Sequence, residues 1–136
     1  MTDCGCLGLN CCNPSPDYVG DVVEFHEVYD VPIGTSEFED FERRQLRMRL
    51  IAEEWNELLR ASSRDDKVEF LDALVDMTYV ILGATTEFGW DFNEAWRRVH
   101  ESNLSKLDED GNPIVRADGK ILKGPNFKPP ELGDLV

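Results

Sequence analysis

The stretch VEFLDALVDMTYVIL, from Val68 to Leu82, constrains the fold more than any other part of the chain. Read as a helix at ~100° per residue, it is apolar almost all round, yet Glu69, Asp72 and Asp76 fall within about 60° of one another. A helix apolar on every side is expected to be buried. An unpaired buried carboxylate is costly, so acids in that setting call for cations. A second group, Glu53, Glu54 and Glu57 in IAEEWNELL, spans about 100° of the preceding helix. Hard divalent metals, which take oxygen ligands, answer both groups.

Helix signals organise the rest. DYVGDVVEFHEVYDV reads as a first helix from Asp17 to Val31, broken by Pro32 and Gly34. Ser36 opens S-E-F-E, a capping-box pattern, and predicts a long helix to Arg60. Ser63 opens S-R-D-D and predicts a third helix to Phe88, with Gly89 as its stop. Asp91 with Glu94 predicts a fourth, to Ser105. After it, IVRADGKIL predicts two short strands around an Asp-Gly turn, followed by an extended Gly- and Pro-rich terminus. The expectation is an all-α four-helix bundle with a small C-terminal β-hairpin and extended tail. The short link between the second and third helices predicts an antiparallel pair, which would bring the two carboxylate groups together.

A chain of 136 residues suits one domain. Its formal charge of −14 excludes polymeric nucleic acid as an expected partner, because that binding rests on a basic surface. A small polyanion carried with metal ions remains compatible. The sign reverses locally: between Gly111 and Pro130, Arg116, Lys120, Lys123 and Lys128 face a single acid, Asp118. No apolar run approaches a membrane span and the N-terminus lacks a signal-peptide pattern, so a cytoplasmic protein is expected. Cys4, Cys6, Cys11 and Cys12 crowd into the first dozen residues at a spacing foreign to zinc sites. Residues 1–16 are expected to form a loosely ordered cysteine-bearing segment ahead of a single domain over 17–136, with a metal or redox role as the alternative.

EEWNE from Glu53 to Glu57, EFLDALVDMTYVILG from Glu69 to Gly83, HESNLSK from His100 to Lys106 and IVRADGKILKGPNFKPP from Ile114 form an ordered set. In it the chain, from Asp21 to Leu132, resembles the all-α nucleoside triphosphate pyrophosphohydrolases. That superfamily includes MazG-type proteins and phosphoribosyl-ATP pyrophosphohydrolase, and the compact members common in viruses and bacteria are the most similar. The resemblance implies cleavage of an NTP between its α- and β-phosphates by a dimer or tetramer using two or three Mg²⁺ or Mn²⁺ ions. It implies Glu54, Glu57 and Asp76 as metal ligands, with Asp72 next and Glu69 as a further candidate. Many relatives carry a Glu at the position of Ala73, so Asp72 or Glu69 is expected to substitute. Glu53 is a candidate catalytic, water-orienting residue. Asn103 and Lys106 are implied as phosphate or sugar contacts, Lys120, Lys123 and Arg116 as a phosphate clamp, and Tyr79 as a base-stacking or phosphate-orienting residue.

Some residues allow two readings. Gly83 either admits substrate or lets a neighbouring helix approach, and His26 and Phe25 either line a base pocket or serve the fold. Trp55, Trp90 and Trp96 are expected in packing or an interface. Among substrates the resemblance puts dGTP first, with dUTP, dCTP and phosphoribosyl-ATP as rivals; a non-catalytic nucleotide-binding module is the reading from another class. A viral member would act in the host cytoplasm.

Overall fold

Each α-helix among the described residues starts on an aspartate. In the computed structural model, which describes residues 14–136, Asp17, Asp40, Asp66 and Asp91 are the N-caps of α1 (Tyr18–Val28), α2 (Phe41–Ser63), α3 (Lys67–Phe88) and α4 (Phe92–Leu104). Each carboxylate accepts a hydrogen bond from a backbone N–H of the first turn, satisfying donors that the helix itself leaves open. A hairpin follows, β1 (Ile114–Val115) antiparallel to β2 (Ile121–Leu122), then a 3-10 turn at Gly133–Leu135. The architecture is all-α with a small hairpin, as expected.

Three boundaries differ from the sequence reading. Ser36 does not cap α2, because its hydroxyl donates to the Glu87 carboxylate (2.8 Å) and Asp40 takes over the cap four residues later. Ser63 belongs to the last turn of α2, donating to the Arg60 carbonyl, and Asp66 starts α3 instead. Helix α1 stops at Val28, before Val31, as Asp30 turns to a left-handed φ of 54°. Gly89 ends α3 as expected, at φ 73°. A side chain there would also strike the α1–α2 loop, since an added Cβ would lie 3.0 Å from the Gly34 Cα.

The three-residue link at Arg64–Asp66, with Asp65 at φ 54°, turns α3 back antiparallel along α2. Helix α1 lies along α3, and its following loop is tied there by hydrogen bonds from Gly34 N to the Thr86 carbonyl and Ser36 N to that of Glu87. Helix α4 packs mainly against the C-terminal tail: Ser102 donates to the Lys128 carbonyl, and Arg98 to Asp134 and the Glu131 carbonyl.

The apolar core is thin, with Val22, Leu58, Ala61, Ala73 and Leu82 as its buried members among the described residues. The enclosed third helix expected from sequence is not found within one chain. Val68 is 76% exposed, Leu71 63% and Val75 55%, because α1 and α2 cover only two sides of α3. No helix among the described residues is long and apolar enough to cross a membrane. Cys4, Cys6, Cys11 and Cys12 lie outside the described residues.

Candidate functional site

Antiparallel pairing of α2 and α3 sets Glu54 and Glu57 against Asp72 and Asp76. Glu54 is half-buried, and its Oε2 is a fully buried oxygen with no hydrogen-bond partner among the described residues. Burial pushes the Glu54 carboxyl above its ordinary pKa, and the charges of Glu57, Asp76, Glu53 and Asp72 push it the same way. Asp76 is raised as well, first by desolvation and then by the charges of Asp72 and Glu57. Four carboxylates from two helices thus repel one another, and Arg60, 3.9 Å from Glu57, pairs with one of them.

Asp72 and Asp76 are solvent-exposed, which corrects the premise that they sit in a sealed interior. They line the open side of the α2–α3 pair. Glu53 is exposed beside them, one of the charges acting on Glu54. Glu69 stands nearer the interhelix turn, in a shallow groove with Glu57, Arg60, Arg64 and Asp66. Ala73, where many relatives carry an acid, is buried in the core. Of its two expected substitutes, Asp72 is the one whose charge acts on both Glu54 and Asp76. Every donor in this set is a carboxylate oxygen, the ligand type of hard divalent cations. No three His, Cys, Asp or Glu side chains among the described residues already close into a ligand shell.

The other candidates stand elsewhere. Tyr79 is half-buried on α3, edge-on to Phe25 at 5.5 Å between ring centroids. Asn103 and Lys106 end α4, where the Asn103 carbonyl accepts from the Lys106 N–H. Arg116 is engaged in two hydrogen bonds to Asp118 across the hairpin turn, Lys120 is exposed at that turn, and the Lys123 ammonium lies 4.7 Å from the Phe127 ring centroid. Among the described residues, none of these six forms a side-chain ion pair or hydrogen bond with the α2–α3 carboxylates of its own chain.

Gly83 is explained by packing. A Cβ there would lie 3.0 Å from Arg47 Nη1 and 3.3 Å from His26 Nε2, so the bare position lets α1 and α2 converge on α3. His26 is buried, with Nδ1 2.9 Å from the Pro32 carbonyl, and serves the fold. Trp90 packs on Phe88 and Phe38, whereas Trp55 and Trp96 are exposed.

Sequence reasoning missed the most buried charge. Glu87 has no exposed surface and accepts hydrogen bonds from Arg43, Arg47 and Ser36, pinning the first half of α2 to the end of α3. One signal was available: an acid in a helix's last turn opposes the helix dipole, and a partner cation is implied.

A family model described as phosphoribosyl-ATP pyrophosphohydrolase matches residues 22–103, which contain all of the α2–α3 carboxylates. Among solved structures, a provisionally named NTP pyrophosphohydrolase from Exiguobacterium sp. 255-15 is 25% identical, over 86% of this chain and 90% of that one, at a TM-score of 0.39. No curated protein matches. With more than half of its length inside the family model, and the carboxylate pair inside that match, the chain belongs to the phosphoribosyl-ATP pyrophosphohydrolase family.

Proposed function

We propose that this pyrophosphohydrolase acts on a (deoxy)nucleoside triphosphate, releasing the monophosphate and pyrophosphate, with Mg²⁺ or Mn²⁺ held by Glu54, Glu57, Asp72 and Asp76. The observation that carries the reading is the α2–α3 acid cluster with its partnerless Glu54 oxygen, set inside the family match. Two or three divalent cations there would neutralise the triphosphate and lower the pKa of a water that attacks the α-phosphorus. Glu53, exposed at the edge of the cluster, would orient that water. Glu69 lies at the margin and would enlarge the ligand set.

Asn103, Lys106, Arg116, Lys120 and Lys123 make no ion pair with the acids of their own chain among the described residues, and their proposed phosphate contacts would be supplied to the acids of a second copy. The exposed apolar residues of α3 supply a face for it. Placing glutamate at Val68 and Leu71, both exposed and outside the α1–α3 groove, is expected to convert a dimer or tetramer into monomer in sedimentation velocity, and an unchanged assembly would place the contact elsewhere.

Pyrophosphate release measured across all NTPs, all dNTPs and phosphoribosyl-ATP, with Mg²⁺, Mn²⁺ or chelator, tests the proposal. Release from dGTP above the other nucleotides, abolished by chelator, is expected. Release confined to dUTP or dCTP moves the substrate to a pyrimidine. The family model itself favours a second reading, and release confined to phosphoribosyl-ATP would select it. No release from anything would leave a non-catalytic nucleotide-binding module.

A further inference from the structure

Beside the carboxylate stripe, α1 and α3 enclose a second feature that the hydrolytic chemistry does not use. It is a groove of about 330 Å³ whose lining includes Tyr18 and Asp21 from α1 and Val75, Thr78, Tyr79 and Leu82 from α3. Pockets for small molecules start near 300 Å³, so the space suits a nucleoside rather than a whole triphosphate. The groove adjoins the acid cluster: Tyr79 follows Asp76 by three residues, about 4.5 Å along the helix and about 60° around it. A triphosphate held at Glu54 and Asp76 would direct its nucleoside along this wall.

The lining is selective in its polar groups. Leu82 and Val75 provide an apolar surface, and the Thr78 hydroxyl is spent on the Leu74 carbonyl (2.9 Å). Asp21 lies in the first turn of α1, is exposed, and forms no side-chain hydrogen bond or ion pair among the described residues. Its neighbour across the groove is Tyr79, whose phenol is pushed above its ordinary pKa by burial and then by the charges of Asp21, Glu24 and Tyr29. A phenol is a hydrogen-bond donor at neutral pH, so the groove offers one donor beside an acceptor-only carboxylate.

We infer that Asp21 is a specificity-determining residue that reads the base of the substrate, selecting one that presents two adjacent N–H donors. This rests on the proposed triphosphate site. A carboxylate accepts two parallel hydrogen bonds and donates none. Guanine offers N1–H beside the N2 amine, with O6 next to them as an acceptor for the Tyr79 hydroxyl. Adenine and cytosine each put a ring-nitrogen acceptor where the second donor is needed, and uracil and thymine flank a single N–H with two carbonyls. Those mismatches place lone pairs against a negative charge, which rejects as well as fails to attract.

The test is calorimetric binding of dGTP, dITP and dATP to the full-length wild-type, Asp21→Asn and Glu24→Gln proteins, alongside pyrophosphate release. Deoxyinosine triphosphate keeps N1–H and O6 but lacks the amine. Wild type is expected to bind dGTP about tenfold or more tighter than dITP, and dATP more weakly still. Asp21→Asn is expected to erase the dGTP–dITP difference while leaving dATP binding within about twofold, and Glu24→Gln to preserve the wild-type order. Equal binding of the three nucleotides by wild type, or an intact dGTP preference in Asp21→Asn, overturns the assignment. A preference that depends on Asp21 but without pyrophosphate release sinks the hydrolytic reading and leaves base reading standing. Release that is indifferent to Asp21 does the reverse.

Discussion

Glu87→Gln is expected to cost about 3–5 kcal/mol of folding stability, the range for breaking a buried charge pair by removing one partner. For a domain of this size, that lowers the melting temperature by roughly 10–20 °C. Glutamine keeps the shape of the side chain but loses its charge, leaving Arg47, which is only 6% exposed, without a counter-charge, and Arg43 beside it. With only five apolar residues in the described core, this buried ion pair is a large share of what fixes the start of α2 against the end of α3. The pH dependence carries the same signature. Burial alone would push the Glu87 carboxyl up, but hydrogen bonds from Arg43, Ser36 and Arg47 outweigh it and hold the group below its ordinary value. A carboxyl lowered in the folded state contributes stability that is complete above its unfolded pKa, about 4.3, and is lost as pH falls through the folded value. Denaturant titrations should therefore show wild type weakening from about pH 5 downward, with a flatter acid limb in Glu87→Gln. A loss below about 1 kcal/mol with an unaltered acid limb would contradict this account.

The helix count, the Gly89 stop, the hairpin and the facing carboxylates were legible in the sequence because each rests on local rules. Periodicity assigns the helices, glycine alone adopts the turn at 89 easily, and a three-residue link leaves α2 and α3 little choice but to run antiparallel. The caps were misread where two candidates competed. Ser36 and Asp40 both qualify by residue type, and Asp40 prevails because Glu87, distant in sequence, claims the Ser36 hydroxyl. Ser63 lost to Asp66 in the same way, its hydroxyl satisfied inside α2. The exposure of α3 was hidden for a different reason. An apolar surface states that something must cover it, and hydropathy does not distinguish a neighbouring helix from another chain. The placement of Lys120, Lys123 and Arg116 away from the acids is likewise a tertiary fact, since charge reversal in a tail carries no direction.

The carboxylate cluster should behave in the opposite sense to Glu87, and this separates a functional role from a structural one. Asp76→Asn and Glu54→Gln are each expected to lower kcat/KM for pyrophosphate release by at least about a hundredfold, the scale on which a metal-assisted hydrolysis depends on its ion. Yet neither should destabilise the chain in chelator at neutral pH. Burial and neighbouring acids raise both carboxyls in the folded state. A group raised on folding weakens the protein as pH climbs from the unfolded pKa through the folded one, and above the folded value the repulsion acts in full. The neutral amides remove it, and the melting temperature should rise rather than fall. Adding Mg²⁺ or Mn²⁺ should then stabilise wild type by mass action and the variants far less. Loss of activity together with loss of stability in chelator would mean that Glu54 and Asp76 hold the fold. Full activity in either variant would remove that residue from the site. Loss of activity with a gain in cation-free stability is the signature of side chains kept for chemistry at the expense of the fold.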